Sequence, residues 1–194
     1  MYIPQHFEVT DQKEALAFVK KNAFGQLTSV VDGRLFSSHI PFMMAEKGQS
    51  LRCHIAKQNP QWRDIEEQEV LLTFQGNHDY ISPSWFGAAG VPTWNYQAVH
   101  IYGRASIITD VKRVKKLVDE LTHIYESSLD EPWMPEYKES ALNAIVGIEI
   151  KIDDIQCKYK LSQNRSDTDQ KQIAVELEKR GSIQLSKAMT QNDK

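Results

Sequence analysis

The sequence predicts a mainly β fold, a small antiparallel β-barrel with peripheral helices. Three predicted strands follow one another between residues 26 and 56 with no room for a helix between them. A doubly wound α/β fold needs a helix between successive parallel strands, so this spacing argues against one. Roughly six strands with few helices among them are typical of an antiparallel sheet that closes into a barrel.

Length and composition agree with one globular domain and an appendage. The 194 residues are 41% hydrophobic and 25% charged, which excludes a wholly disordered chain. No apolar run is long enough to span a bilayer, and the first residues lack a signal-peptide pattern. Cys53 and Cys157 are the two cysteines, and their wide separation excludes a disulfide scaffold and a four-cysteine zinc site. We therefore expect a reduced, cytoplasmic protein.

Alternating apolar residues define the predicted strands. Asp32-Gly33 separates the first two strands and is a strong signal for a two-residue hairpin turn. The clearest alternation lies in the last strand, and residues 156–161 either extend that strand or pair with it. The strands are predicted over 26–31, 35–44, 51–56, 70–75, 96–108 and 146–153.

Helix signals occur between and after these strands. The longest predicted helix follows Asp110, a favoured cap, and its apolar stripe comprises Val111, Val114, Leu117, Val118, Leu121 and Tyr125. Other helices are predicted over 11–22, from Pro60, over 137–144, and in the tail around Ile173 and Leu177, before a stop at Gly181 and a short turn over 183–189. We predict a barrel domain over 1–165 and a C-terminal helical appendage over 166–194.

The stretch from His54 to Trp62 has the composition of an anion site. A strand ends there, Lys57 follows, and Asn59-Pro60 then opens a helix with a favoured cap and a favoured first residue. Unpaired N–H groups at a helix start, together with a nearby cation, suit a phosphate group. The alternative is a well-formed cap beside a solvated lysine.

A second unusual stretch covers residues 76–96. It holds five aromatic residues, three glycines, two prolines and one formal charge, and loops beyond about 12–15 residues are usually functional or disordered. A flat apolar ligand or a second subunit would cover the aromatic rings, and the alternative is a loop that packs back on its own core. Flavin mononucleotide (FMN) meets both demands, because its phosphate needs cations and its ring needs flat apolar surface.

Five short stretches carry a specific resemblance. They are Ser-His-Ile-Pro at 38–41, His-Ile-Ala-Lys-Gln-Asn-Pro-Gln-Trp at 54–62, Tyr-Ile-Ser-Pro-Ser-Trp at 80–85, Val-Pro-Thr-Trp-Asn-Tyr at 91–96 and Lys-Leu-Ser-Gln-Asn-Arg at 160–165. In this order they closely resemble the PaiB family of FMN-binding negative transcriptional regulators, and the match runs over nearly the whole chain.

The resemblance implies an FMN-binding split β-barrel, related to pyridoxamine-phosphate oxidases and flavin reductases, that works as a homodimer with FMN at the subunit interface. It implies that Ser38, His39, Ile40 and Pro41 lie along the ring or ribityl chain, and that His54, Ala56, Lys57 and Asn59 lie near the phosphate. Ser82, Pro83, Trp94 and Asn95 would close the pocket. Lys160, Gln163 and Asn164 would reach in from its far side or from the other subunit.

Other kinds of site have weaker sequence support. Three histidines, His39, His54 and His100, fall in predicted strands, but no metal-ligand spacing accompanies them, so we predict no metal site. No G-x-S-x-G, dinucleotide or P-loop motif is present, and no catalytic residue is assigned.

Three functions stay open. The first is a PaiB-type regulator, and the second is a flavin-dependent oxidoreductase or flavin reductase that acts on a small substrate. The third is an interaction protein that keeps the scaffold without flavin. A protein with a net charge of −3 is not attracted electrostatically to DNA or to an anionic membrane. The densest basic cluster, residues 112–116, reads as a solubilising helix face. DNA is therefore a possible partner without support from charge.

Overall fold

The computed structural model describes residues 1–45, 48–87 and 90–191. Its described part contains a seven-stranded sheet in the order β2-β1-β5-β6-β7-β4-β3. The strands are β1 Phe24–Val31, β2 Arg34–Pro41, β3 Met43–Met44, β4 Ser50–Ala56, β5 Glu69–Ile81, β6 Thr93–Ile108 and β7 Ile145–Lys160. The helices are α1 Gln12–Lys21, α2 Val111–Glu126, α3 Glu139–Asn143, α4 Asp167–Lys179 and α5 Ile183–Gln191, with 3-10 helices at Gln5–Phe7, Pro60–Arg63 and Pro83–Trp85. The predicted mainly β, antiparallel fold is confirmed.

The β1–β2 hairpin turns where Asp-Gly predicted it. Asp32 has φ 50° and Gly33 has φ 75°, the positive angles that a two-residue type I′ turn requires. Its twist matches that of the strands, and pairing is continuous from Val31 opposite Arg34 to Phe24 opposite Pro41.

The long helix α2 packs through the central part of its predicted stripe. Asp110 caps it, since its carboxylate accepts a hydrogen bond from Arg113 N at 2.9 Å. The buried cluster comprises Val114, Leu117 and Leu121 of the helix with Met43 and Ile108 of the sheet. Val111 and Tyr125, the two ends of the predicted stripe, are exposed.

The connection between β5 and β6 is shorter than the sequence predicted. β5 continues to Ile81 and β6 begins at Thr93, so the connection spans residues 82–92 rather than 76–96. Gly76 is a poor strand former, but a Cβ on it would lie 2.8 Å from the ring of Phe18. Close aromatic packing therefore explains a glycine inside this strand.

Two further observations concern strand length. The predicted strand over 35–44 is divided into β2 and β3, and between them Phe42 N donates to Ala23 O at 2.8 Å. Residues 156–160 extend β7 as one continuous strand instead of pairing with it.

Contacts divide the chain into two compact units. The terminal unit comprises Met1–Phe18, Phe74–His100 and the described part of Gln156–Lys194, and the central unit comprises Val19–Thr73 and Ile101–Ile155. Helices α4 and α5 belong to the terminal unit, where Asp169 accepts a hydrogen bond from Gly87 N and Asp79 accepts one from the Ser182 hydroxyl. Gly181, with φ 87°, ends α4 as predicted. The division at residue 165 stays a prediction.

Among the described helices, none has the length and apolar character needed to cross a membrane.

Candidate functional site

A buried polar cluster in the central unit joins two of the predicted site segments. Asn59 Nδ2 donates to Ser38 Oγ at 2.8 Å, and Ser38 Oγ donates to Gln61 Oε1 at 2.7 Å. Gln61 is fully buried, and its amide also donates to Leu27 O at 3.0 Å and Ser29 Oγ at 2.8 Å. The segment after β4 is thereby tied to the β1–β2 hairpin.

The hydrogen-bond capacity of this cluster leaves specific groups for a ligand. The Ser38 hydroxyl proton is used by Gln61, so Ser38 can only accept from a ligand. Asn59 Oδ1 accepts from Gln61 N at 3.0 Å, and one of the two Asn59 Nδ2 hydrogens goes to Ser38. One Asn59 N–H therefore has no use in the cluster.

Hydrogen bonds hold the backbone of Lys57 through both its N–H and its carbonyl group. Its N–H donates to Ala144 O at 2.8 Å, and its carbonyl accepts from Trp62 Nε1 at 2.9 Å. Within the described residues, the Lys57 ammonium has no carboxylate partner within ion-pair distance. A fixed backbone with an unpaired cation close to the spare Asn59 N–H suits an anion.

The helix start at Pro60 contributes less to anion binding than the sequence suggested. Pro60–Arg63 is a single four-residue 3-10 turn, so it lacks the aligned peptide dipoles of a longer helix. Pro60 has no N–H, and the N–H of Gln61 is taken by Asn59. Anion binding at this place therefore depends on the side chains of Lys57 and Asn59.

His54 has an unsatisfied ring nitrogen. It lies on β4 opposite Gly147, and its Nδ1 is buried with no hydrogen-bond partner in the described part of the chain. Burial lowers the pKa of His54, so the neutral ring is favoured. A buried polar atom without a protein partner fits a ligand or an ordered water.

The other predicted residues of the central unit form no cluster of their own. His39, on β2, is exposed, Ile40 and Pro41 are half-buried at the end of that strand, and Ala56 is exposed at the end of β4.

In the terminal unit, the predicted residue Lys160 contacts the backbone of Trp94, another predicted residue, whose side chain is exposed. Trp94 is 52% exposed, and its ring lies 6.2 Å from the ring of Tyr80 and 6.3 Å from that of His78. Its carbonyl accepts from Lys160 Nζ at 2.5 Å, as does Thr93 Oγ1. An exposed aromatic face beside an amino group offers a planar ligand both stacking and a donor.

Lys160 is a desolvated cation. Burial lowers its pKa first, and the charges of Lys158 and Arg165 lower it further. Lys158 is itself buried, with Nζ 5.2 Å from the Tyr96 ring centroid, and the guanidinium of Arg165 stacks 3.7 Å from that of Phe86. Lys158 and Arg165 therefore lie against aromatic rings, and none of the three cations has a carboxylate within ion-pair distance among the described residues.

The remaining predicted residues of this unit mainly support the local backbone. Asn95 is fully buried and its amide is used by Ser162, with Nδ2 to Oγ at 2.9 Å. Gln163 closes its own turn by donating to Tyr159 O at 2.6 Å and accepting from Leu161 N at 2.7 Å. Ser82 caps the 3-10 helix that Pro83 opens, and Asn164 is exposed.

Gln61 is a residue of the site that the sequence did not indicate. It stands inside the quoted motif at 54–62, but a glutamine two residues after a cap normally faces solvent. Only the folded hairpin, which supplies Ser29, Ser38 and the Leu27 carbonyl, turns it into the centre of the cluster.

The donor set fits the phosphate of FMN. A phosphate monoester takes charge-assisted hydrogen bonds from an ammonium and from amide N–H groups. Among the described residues, the Lys57 ammonium and the second Asn59 N–H have no competing partner. A ribityl hydroxyl can donate to Ser38, whose remaining capacity is that of an acceptor. No residue in this cluster is an acid that would repel a phosphate.

Comparison with solved structures identifies the fold. The flavocytochrome Anf3 from Azotobacter vinelandii is 16% identical with a TM-score of 0.69, over 87% of this chain and 77% of that chain. The FAD and heme binding protein from Mycobacterium smegmatis is 16% identical with a TM-score of 0.62, over 84% of this chain and 78% of that chain. At such identities the likeness concerns the fold alone, which is the flavin-binding split barrel.

Comparison of sequences identifies the family. The family model described as "Putative FMN-binding domain" matches residues 1–154. The "Protease synthase and sporulation protein PAI 2" of Bacillus subtilis (strain 168) is 42% identical over 189 residues, covering 92% of this chain and 89% of that protein. FMN is the cofactor of the matched family. The chain therefore belongs to this FMN-binding domain family and is, within it, a split-barrel protein of the PaiB type.

Proposed function

We propose that this chain binds the phosphate end of FMN through Lys57 and Asn59 and acts as a negative transcriptional regulator of the PaiB type. The observation that carries the proposal is the pair of unused donors in the central unit, the Lys57 ammonium and the second Asn59 N–H. Both stand on a segment whose backbone is fixed by hydrogen bonds, so little backbone entropy is lost when an anion binds.

Ser38 and His54 extend this proposal. The Ser38 hydroxyl accepts from a ribityl hydroxyl, because its own proton is committed to Gln61. The neutral, buried His54 Nδ1 is satisfied when ligand or its bound water fills the site.

For the terminal unit the proposal rests on the exposed ring of Trp94 and on Lys160. Trp94 offers an aromatic face for stacking, and Lys160 retains a third N–H beyond those given to Thr93 and Trp94. Trp94→Leu and Lys160→Met test these two residues separately from the phosphate site, and each should weaken FMN binding in a fluorescence titration.

We further propose that the chain forms a homodimer. Exposed apolar side chains on the β1–β2 hairpin support it, since Leu35 is 81% exposed, Phe24 is 67% exposed, and Leu35 lies directly opposite the exposed Val30. Exposed apolar clusters of this kind mark interfaces. Sedimentation of the Leu35→Glu variant should show a shift from dimer to monomer, while Val175→Glu, on α4, should leave the dimer intact.

Regulation need not involve direct contact with DNA. The net charge is −3, and two of the four basic residues at 112–116, Lys115 and Lys116, already pair with acids on the same helix. We therefore propose that the protein acts on transcription through a partner or through small-molecule chemistry upstream. Two buried, unpaired cysteines agree with a cytoplasmic location.

FMN binding is tested by titrating the apoprotein with FMN, with quenching of the flavin fluorescence as the measured signal. Lys57→Met and Asn59→Ala should each weaken binding by about 1.5–3 kcal/mol, the size of a charge-assisted hydrogen bond. Lys151→Met, at an exposed position on β7, is the matched control and should bind FMN normally. Unchanged dissociation constants for both site variants would show that the phosphate binds elsewhere.

The test of regulation compares two activities of the holoprotein. Salt-resistant retention of promoter DNA in a gel shift would replace the indirect mechanism by a direct one. Rapid bleaching of bound FMN by NADH or NADPH, without any effect of deletion of the gene on transcription, would favour an oxidoreductase and overturn the regulator.

A further inference from the structure

The end of α2 and the connector that follows it carry an unusual surface in the central unit. Five large apolar side chains there are exposed, among them Trp133 at 51% and Met134 at 77%. The others are Ile124, Tyr125 and Leu129. We name these five residues the aromatic patch. None of them belongs to the residues proposed to bind FMN.

Hydrogen bonds and a ring contact hold the connector that carries part of the patch against α2. Trp133 N donates to Glu126 Oε2 at 2.7 Å, which brings the connector back to the last turn of α2. Tyr137 OH and Thr122 Oγ1 lie 2.7 Å apart, and the Tyr137 ring meets that of Trp133 edge-on with centroids separated by 5.6 Å. An ordered segment that keeps apolar side chains in water is typical of a binding surface.

Acidic residues lie between and beside the patch residues along the chain. Residues 124–139 contain five carboxylates and one lysine, so this segment alone accounts for a charge of −4 in a chain of net charge −3. Asp130, Glu131 and Glu136 have no basic partner within ion-pair distance among the residues that the structure describes. Their field is therefore available to an incoming cation.

We infer that the aromatic patch and its acidic rim bind a cationic, amphipathic segment of another protein. Trp, Tyr and Met are the side chains enriched at the centre of protein interfaces, and the surrounding carboxylates select lysine or arginine beside the apolar anchors of the partner. The same charges repel nucleic acid and anionic lipid. Charge complementarity thus favours a basic protein segment over the other occupants.

The first experiment uses a synthetic 14-residue amphipathic helix of leucine and lysine as the probe, with a leucine and glutamate helix of the same pattern as its counterpart. Fluorescence anisotropy of the labelled peptides should show binding of the lysine peptide to the FMN-loaded protein, with affinity falling severalfold as salt screens the carboxylates. Equal binding of both peptides would overturn the inference.

Variants then locate the contact. Leu129→Ser with Met134→Ser should weaken the lysine peptide by about tenfold, and Asp130→Lys with Glu131→Lys should reverse the preference toward the glutamate peptide. Val175→Ser, an exposed apolar position on α4, is the matched control. All variants should retain FMN affinity and thermal stability, which separates this result from any failure of the proposed function.

A second copy of the chain is the competing occupant. Lys112 and Arg113, at the start of the same helix, are exposed and could supply the cations. Sedimentation of the wild type and of the Leu129→Ser, Met134→Ser variant distinguishes the two cases. The same oligomeric state for both supports a separate partner, and loss of an oligomer in the variant overturns it.

Discussion

The hydroxyl group of Ser38 donates a hydrogen bond to Oε1 of Gln61 at 2.7 Å, and Gln61 is fully buried. The bond joins β2 to the 3-10 turn after β4, two segments that are 23 residues apart in sequence. It also sets the direction of the hydroxyl proton, which makes Ser38 an acceptor toward any ligand. The geometry of the candidate phosphate site thus depends on a residue that does not itself face the ligand.

Gln61→Met should therefore destabilise the protein strongly. The substitution removes the partners of Leu27 O, Ser29 Oγ and Ser38 Oγ, and each buried group left unsatisfied costs about 1–3 kcal/mol. We expect the free energy of unfolding in urea to fall by about 3 kcal/mol in total. Gln184→Met, exposed on α5, should leave it nearly unchanged. Equal midpoints for the two variants would refute the central role of Gln61.

Asn59→Asp should distinguish the effect of a negative charge on FMN affinity from any effect on the stability of the fold. The carboxylate still accepts from Gln61 N, but it cannot donate to Ser38, and it places a negative charge where a phosphate is proposed. FMN affinity should fall by about a hundredfold, while the melting temperature changes little. Asn59→Ser also loses the amide donor but keeps a neutral cap, so its affinity should fall less than that of Asn59→Asp. If both variants bind FMN equally, no phosphate lies beside residue 59.

Local signals predicted most of the fold. Asp32-Gly33, the Asp110 cap and the alternation that begins at residue 146 each depend on neighbours in sequence, and the structure confirms all three. The extension of β5 to Ile81 was not predictable in this way. Gly76 weakens a strand by itself, and only its contact with the ring of Phe18 explains its place there.

The candidate site was less accessible to sequence reasoning. The motif at 54–62 pointed to Lys57 and Asn59, but the supporting role of Gln61 comes from hydrogen bonds to residues 23–34 positions away. The same limit applies to Asn95, whose amide is used by Ser162, 67 residues later in the chain. Long-range partners decide whether a polar side chain faces a ligand or the protein, and spacing along the sequence does not contain them.

The pKa of His54 predicts a pH dependence of stability. Burial lowers this pKa in the folded state, so below the ordinary value of 6.5 the unfolded chain binds a proton that the folded chain resists. Stability should therefore decrease as the pH falls below 6.5. His54→Gln should reduce this decrease in urea unfolding between pH 7.5 and pH 5.

His123→Gln, at an exposed position on α2, serves as the control for His54→Gln. A pH profile identical in the wild type and the His54→Gln variant would mean that burial does not lower the pKa of His54 in the folded state.

Gly103→Ala should be one of the most damaging small substitutions in the chain. A Cβ at this position of β6 would lie 2.2 Å from Lys151 O and 2.8 Å from Ile150 Cγ2, and the first of these is backbone on the neighbouring strand β7. Since a backbone carbonyl in a sheet cannot rotate away, the strands must separate locally, and we expect a loss of about 3 kcal/mol in the free energy of unfolding. Gly87→Ala adds the same methyl group where no described atom beyond the adjacent residues lies within 4 Å, and its unfolding curve should match that of the wild type. A Gly103→Ala variant as stable as Gly87→Ala would contradict the close packing of β6 against β7.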